Sequence, residues 1–249
     1  MASTPPPKPG VLWVSSGITQ PRKLTPAKFT SWYEDTHIHE VLATGGVPSS
    51  TRYEALPPHR ALTPTMAAAW LTVYEMPDVE FRHAAAFKGL DGQKTPKGNL
   101  LQEIFENAIY KTRFCAMVSV DEADGVKEGP AKFVVSETVE VPSGSQEEEK
   151  VKAWYQDVRV PAVRKVNGWV RSRRFKIVDS TVLDEFRRRD GIGNGDKIAY
   201  LTLHEFDGDE FPFDSISSIE GLEEVNDPEL GYFRRKRIYG EFERLPNGK

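Results

Sequence analysis

Trp32-Tyr33-Glu34-Asp35-Thr36-His37-Ile38-His39 and Trp154-Tyr155-Gln156-Asp157-Val158-Arg159-Val160-Pro161 are two versions of one segment, 122 residues apart. The Trp-Tyr pair, the Asp and a β-branched residue recur. Ungapped extension sets Gly46 on Gly168, Ser50 on Ser172, Arg52 on Arg174 and Tyr53 on Phe175. Further on, Ala69-Trp70-Leu71-Thr72-Val73-Tyr74-Glu75 falls on Ala199-Tyr200-Leu201-Thr202-Leu203-His204-Glu205 at an offset of 130, the shift arising around Gly191-Ile192-Gly193-Asn194-Gly195. Ordered matches across two segments mark an internal repeat, two copies of a unit of roughly 120 residues.

Working outward, each copy has the same rhythm. The first opens on the apolar run Val11-Leu12-Trp13-Val14. A helix then starts at Thr25-Pro26, with Thr as N-cap and Pro in the first turn. The second copy opens on Phe133-Val134-Val135, and its helix starts at Ser145 with Glu148 three residues on, a capping-box spacing. Val151, Trp154, Val158 and Ala162 form an apolar stripe on that helix, matched by Phe29, Trp32, Thr36 and Glu40 in the first. Glycines end both helices, Gly45-Gly46 and Gly168. Strands follow at Ser50 to Leu56 and Met66 to Glu75 in copy one, and at Val170 to Val178 and Lys197 to Phe206 in copy two. A helical stretch comes next (Val79 to Phe87 with Leu100 to Ile109; Glu220 to Val225), then a closing strand (Thr112 to Val120; Tyr232 to Phe242). The order β-α-β-β-α-β predicts an α+β fold, two tandem ferredoxin-like units. The expected division is a Pro-rich tail over 1–10, a first unit over 11–124, a linker over 125–130 and a second unit over 131–246.

Composition narrows the function. Hydrophobic residues make up 39% of the 249, enough for a core, and 33 basic against 37 acidic residues argue against a nucleic-acid or anionic-membrane binder. Cys115 is the single cysteine, so no intramolecular disulfide forms; its apolar neighbours read as core. No apolar run approaches the ~18 residues that span a bilayer, and the proline-rich start lacks a signal-peptide apolar region. The expectation is a soluble cytoplasmic protein, as monomer or homodimer. Gly191-x-Gly-x-Gly195 lacks the strand-turn-helix setting of a dinucleotide fingerprint, and no residue set suggests a metal or cofactor.

The segment around Trp32-Tyr33…His37-Ile38-His39-Glu40…Gly46…Arg52-Tyr53, with its echo in the second half, resembles the dimeric α+β barrel superfamily, and within it the EthD-like tandem-repeat proteins of fungi. That resemblance implies two sheets closing into an intramolecular barrel with pockets between sheet and helices. Members include cofactor-independent polyketide cyclases, decarboxylases, dehydratases and oxygenases, haem enzymes, and proteins without demonstrated activity. The family pattern often reads His-x-Pro after the aromatic pair. Here His39 stands in place of the Pro, and the second copy keeps Pro161 but has Arg159 for the histidine, so the candidate histidine belongs to copy one alone.

Five histidines are present, His37, His39, His59, His83 and His204. His37 follows Tyr33 by four residues and Glu34 by three, so helical neighbours can tune it as an acid or base; the plainer alternative is a histidine bordering the helix surface. Glu40 is a candidate proton donor if its stripe faces inward, or a solvated carboxylate if not. Strand alternation puts Tyr200, Thr202 and His204 on one face, as it does Trp70, Thr72 and Tyr74, suiting either an oxygenated aromatic substrate or a plain sheet interface. Arg171, Arg173 and Arg174, opposite Arg159, could clamp an acid group or lie on a solvated face. The leading expectation is a cofactor-free lyase, cyclase or isomerase acting on a polyketide-like or oxygenated aromatic molecule. His37, Tyr53 and His204 would be catalytic, with Trp32, Tyr33, Glu40, Trp70, Tyr74, Arg159 and Arg174 contacting substrate. A non-catalytic binding or stress-response barrel, a cofactor-free oxygenase and, last, a haem protein are the alternatives.

Overall fold

The computed structural model describes residues 6–57, 68–219 and 228–241. Its strands are β1 (Gly10–Ile18), β2 (Ser49–Ala55), β3 (Trp70–Met76), β4 (Ala108–Glu122), β5 (Phe133–Pro142), β6 (Trp169–Asp184), β7 (Arg187–Asp190), β8 (Lys197–Phe206) and β9 (Glu229–Gly240). They join in the order β4-β1-β3-β2-β9-β5-β8-β6-β7, and β4 also pairs with β6. All pairings are antiparallel, and the β4–β6 ladder, from Ile109↔Asp184 to Glu122↔Arg171, closes the circle. Eight strands thus make a barrel, and β7 folds back on the far end of β6 outside it.

This overturns the expected pair of tandem ferredoxin-like α+β units. The molecule is one closed eight-stranded antiparallel β-barrel with a few helices. Within the barrel neither half keeps a free sheet edge, because β2 pairs with β9 and β4 with β6 across the halves, and such edges are templates for pairing. Helix is also scarcer than the pattern suggests. The stretch that holds Gly89, Gly92, Pro96 and Gly98 breaks into short pieces, Val79–His83, Ala85–Lys88, Leu100–Glu103 and Phe105–Asn107. In the second half the corresponding piece is Phe213–Ser217; the expected helix over Glu220 to Val225, the start of β3 at Met66, the end of β9 at Phe242, and His59 lie outside the described residues.

Strand alternation sorts side chains to two faces. Inside the barrel Val11, Trp13, Tyr53, Leu71, Val73, Cys115, Phe175, Ile177, Leu201 and Leu203 pack into one core. At one end of this interior Arg173 donates to Glu75 (2.8 Å) and Glu205 (2.7 Å), and Arg171 donates to Glu205 (2.9 and 2.7 Å). Burial alone would raise the Glu205 pKa, but the two guanidinium groups bring it down to about 2. The barrel interior is therefore filled rather than a chamber.

Outside the barrel, Leu12, Val14, Tyr74, Tyr110 and Phe114 pack under the helix over residues 26–42. Thr25 caps this helix by accepting from the Lys28 N–H, and Ser145 does the same for Glu148 in the helix over 146–163. Each helix contains a π turn, Tyr33–His37 in one and Tyr155–Arg159 in the other. A π turn inserts a residue and rotates everything after it. The apolar stripe consequently shifts: Tyr33, Ile38 and Val41 are buried while Thr36 and Glu40 face water, and Tyr155, Arg159 and Val163 are buried while Val158 is 49% exposed.

Candidate active site

A cavity of about 110 Å³ opens between the helix over 26–42 and the outer face of β1, β3 and β4. Trp32, Tyr33, His37 and Val41 reach it from the helix, and Tyr74, Tyr110 and Phe114 from the strands. The second half closes its side with Asp179, Thr181, Leu183 and Arg188 from the β6–β7 hairpin. Arg188 donates to the Gly92 carbonyl at 2.7 Å, and Phe186 packs edge-on against the cavity-wall ring of Phe105 at 6.0 Å. Both turn residues of the hairpin, Glu185 (φ 49°) and Phe186 (φ 64°), adopt the left-handed conformation of a tight turn, which a side chain as bulky as Phe seldom does. Those contacts hold it there.

His37 ends the π turn. Its ring stacks on Trp32 (5.0 Å, 24°) and meets Tyr33 edge-on at 5.3 Å. Nδ1 is buried without a hydrogen-bond partner, and the nearest carboxylate oxygen, Glu40 Oε2, stands 3.9 Å away. Burial, and then the positive charge of Arg52, lower the pKa from 6.5 to about 4. The imidazole is neutral at neutral pH.

Beside it, the Tyr74 hydroxyl donates to that of Tyr33 at 3.3 Å, leaving the Tyr33 proton available for a further acceptor. Burial, followed by Tyr33, raises the Tyr74 pKa, so this phenol stays protonated. Tyr110, also in the wall, has a buried hydroxyl with no partner. Below Tyr33 lies Arg52, its guanidinium 4.1 Å from the ring centroid and donating to Thr72 at 2.7 Å. Glu34, which the helix buries, stands 3.8 Å from Arg52 Nε and accepts from Tyr239 at 3.1 Å.

Of the residues expected from the sequence, the fold brings Trp32, Tyr33, His37 and Tyr74 together around this cavity. Glu40 turns to solvent, its side chain 43% exposed. Trp70 stacks on Phe29 at 5.0 Å beneath the helix. Tyr53 points into the barrel core, on the other side of the sheet. His204 and Arg159 lie in the second half and are occupied there: His204 meets Ser172 at 2.7 Å and Glu137 at 3.3 Å, and Arg159 pairs with Glu137. Arg174 lies between Tyr155 and Tyr200. Tyr110, Phe105 and the β6–β7 hairpin escaped sequence reasoning; the outward register of Tyr110 beside Thr112 and Phe114 was the signal for the first.

No family model and no curated protein matches the chain. Among solved structures, the fold is similar to that of a candidate monooxygenase from Fusobacterium nucleatum subsp. nucleatum, with a TM-score of 0.51 and 11% identity over 98% of this chain and 99% of that one. The likeness is one of fold. An anthrone oxidase-like protein (TM-score 0.49, 14% identity, 94% and 93% covered) and a candidate monooxygenase from Lactobacillus acidophilus NCFM (TM-score 0.44, 10% identity, 94% and 96% covered) align more loosely. Among the described residues no helix is long and apolar enough to cross a membrane, and no group of His, Cys, Asp or Glu is arranged to hold a metal.

Proposed function

We propose that the chain is a small-molecule enzyme whose first step removes a proton from an oxygenated aromatic or polyketide-like substrate in the N-terminal cavity, with His37 as base. The observation that carries this reading is a neutral, desolvated imidazole in the wall of an aromatic cavity, next to a phenol whose acceptor site is already filled. Proton abstraction leaves negative charge on a substrate oxygen. Tyr33, supported by Tyr74, donates to that oxygen, and in a site shielded from water such donors stabilise a developing oxyanion strongly. Trp32 and Phe105 give the cavity aromatic wall against which a planar substrate can pack. Dehydration, cyclisation and isomerisation use the resulting enolate or carbanion, while a decarboxylation would reach the same anion by loss of CO2 and need the same oxyanion donors; a lyase or isomerase is the reading preferred.

A cofactor-free oxygenase shares this first step, because an electron-rich anion can give electrons to oxygen; the monooxygenase name of the Fusobacterium neighbour is the reason to test it. The experiment is exchange of substrate carbon-bound hydrogen in D2O, followed by mass spectrometry over a panel of hydroxylated polycyclic aromatics, with oxygen uptake recorded in parallel. Expected is exchange that His37→Asn slows by about a hundredfold. Exchange at the same rate in His37→Asn removes His37 from the mechanism. Saturable binding without exchange or turnover makes the chain a binding barrel instead.

A further inference from the structure

We infer that the C-terminal half holds a site for a small carboxylate at Arg174, separate from the cavity and independent of its chemistry. Among the described residues six arginines are buried: Arg52, Arg113, Arg159, Arg171, Arg173 and Arg174. Five of them face a carboxylate within 4.0 Å, namely Glu34, Glu229, Glu137, Glu205 and Glu75 respectively. Arg174, only 8% exposed, faces none among the described residues. A buried cation without a counter-charge is costly, and proteins rarely leave one unpaired.

The geometry says what the missing partner is. Tyr155 (4.8 Å) and Tyr200 (4.7 Å) contact the guanidinium, an arrangement that attracts a cation through the ring quadrupoles. Strong hydrogen bonds must then be made at the edges of the group. Nη1 makes a long bond of 3.4 Å to the Lys152 carbonyl, whereas Nε and Nη2 are buried and bonded to nothing. Nε and Nη2 are the parallel pair of donors that a guanidinium offers side-on to a carboxylate. The same protein uses that edge twice for this purpose: Arg171 donates from Nε and Nη2 to Glu205, and Arg159 from Nε and Nη2 to Glu137. Across the ladder from Arg174 stands Thr202, whose hydroxyl is also buried and unpartnered, a third group able to donate to the same anion.

The first half shows the corresponding arginine with a carboxylate beside it. Arg52, the counterpart of Arg174, bonds Thr72 and faces Glu34. At the Glu34 position the second half has Gln156, uncharged and turned to solvent. The second half thus has the guanidinium without the carboxylate. With Nε, Nη2 and the Thr202 hydroxyl all shielded from solvent, the side chains around Arg174 must shift to admit a ligand, and a small carboxylate such as acetate asks the least of them.

The test uses the whole protein, with sodium acetate replacing sodium chloride at constant ionic strength. Expected is a saturable rise in Tm with acetate, together with movement of the Arg174 Nε–H signal in arginine-edited NMR. Arg174→Met loses the acetate response, and Thr202→Val weakens acetate affinity about tenfold. Should Arg174→Met fail to fold, the wild-type Nε–H signal and Thr202→Val decide. A wild-type Tm and Nε–H signal indifferent to acetate, or an acetate response undiminished in Arg174→Met or Thr202→Val, overturns the assignment.

Discussion

Glu137 and Arg159 form a fully buried ion pair in the second half, at the positions that the first half gives to Val14 and His37. Arg159 donates from Nε at 3.1 and 3.3 Å and from Nη2, while Tyr155 donates to the same carboxylate at 3.2 Å and His204 lies 3.3 Å from it. The space between helix and sheet is thereby occupied on one side of the molecule and left open on the other. Burial opposes ionisation of Glu137, yet Arg159 and His204 hold its pKa well below the usual carboxylate range. Among the described residues the helix-and-sheet cavity thus lies in the first half, and the second half supplies part of its wall.

Glu137→Gln should be strongly destabilising. The substitution preserves shape but leaves Arg159 charged, buried and unpaired, which costs about 3–5 kcal/mol. Urea unfolding followed by circular dichroism reads this as a lower midpoint with an unchanged slope. Replacing both Glu137 and Arg159 by Leu should recover most of the loss, since an apolar pair has no charge to desolvate. A midpoint unmoved by Glu137→Gln would show that the pair contributes nothing net.

Acid stability follows from the same buried carboxylates. Glu137 and Glu205 have folded pKa values below their unfolded ones, so the native state binds fewer protons than the unfolded state as pH falls. Their stabilisation is complete above about pH 4.5 and, for Glu205, is lost as the pH falls towards about 2. Urea midpoints from pH 7 to pH 3 should be lower at the acid end, and Glu205→Gln should flatten that part of the curve. A curve equally steep in Glu205→Gln would assign the acid sensitivity elsewhere.

Much of this arrangement was legible in the sequence, for physical reasons. The Trp-Tyr segments, the Thr25 and Ser145 caps and the period-2 strands are local signals, and each reports an interaction made within a few residues. The pairings β2–β9 and β4–β6 join residues far apart in the chain, and nothing local encodes them. The π turns were invisible for another reason. A 3.6-residue period assumes regular helix and sets Glu40 on the apolar stripe, leaving open whether it faces inward or to water; the π turn over Tyr33–His37 rotates it out to solvent. Tyr53 and Tyr74 both read as candidate oxygen-binding phenols; only register against β3 and β1 separates the barrel core from the cavity wall.

The Tyr33–Tyr74 relay should be non-additive. If Tyr74 acts by holding the Tyr33 hydroxyl, Tyr33→Phe lowers ligand affinity or turnover about tenfold, and Tyr74→Phe lowers it by less. The double variant should then be no worse than Tyr33→Phe alone, because removing Tyr33 leaves Tyr74 nothing to support. Ligand titrations of the four proteins give the coupling energy directly. Fully additive losses would mean that each phenol contacts the ligand independently.

The pH dependence of His37 is the sharpest of these expectations, because its sign differs from that of an ordinary surface histidine. Its folded pKa, about 4, lies below the 6.5 of the unfolded chain, so the native state resists protonation. As pH falls below about 6.5 the unfolded state takes up the proton first, and stability drains away until the folded ring also protonates near pH 4. Activity that needs a free imidazole should therefore be level from neutral pH to about 5 and then fall through about 4, wherever the protein remains folded. Two-dimensional NMR of the imidazole should give the same midpoint, and Arg52→Met should move it upward by removing the cationic part of the shift. A His37 midpoint near 6.5 would mean a ring open to water, and with it would go both the shielded base and the proton abstraction assigned to it.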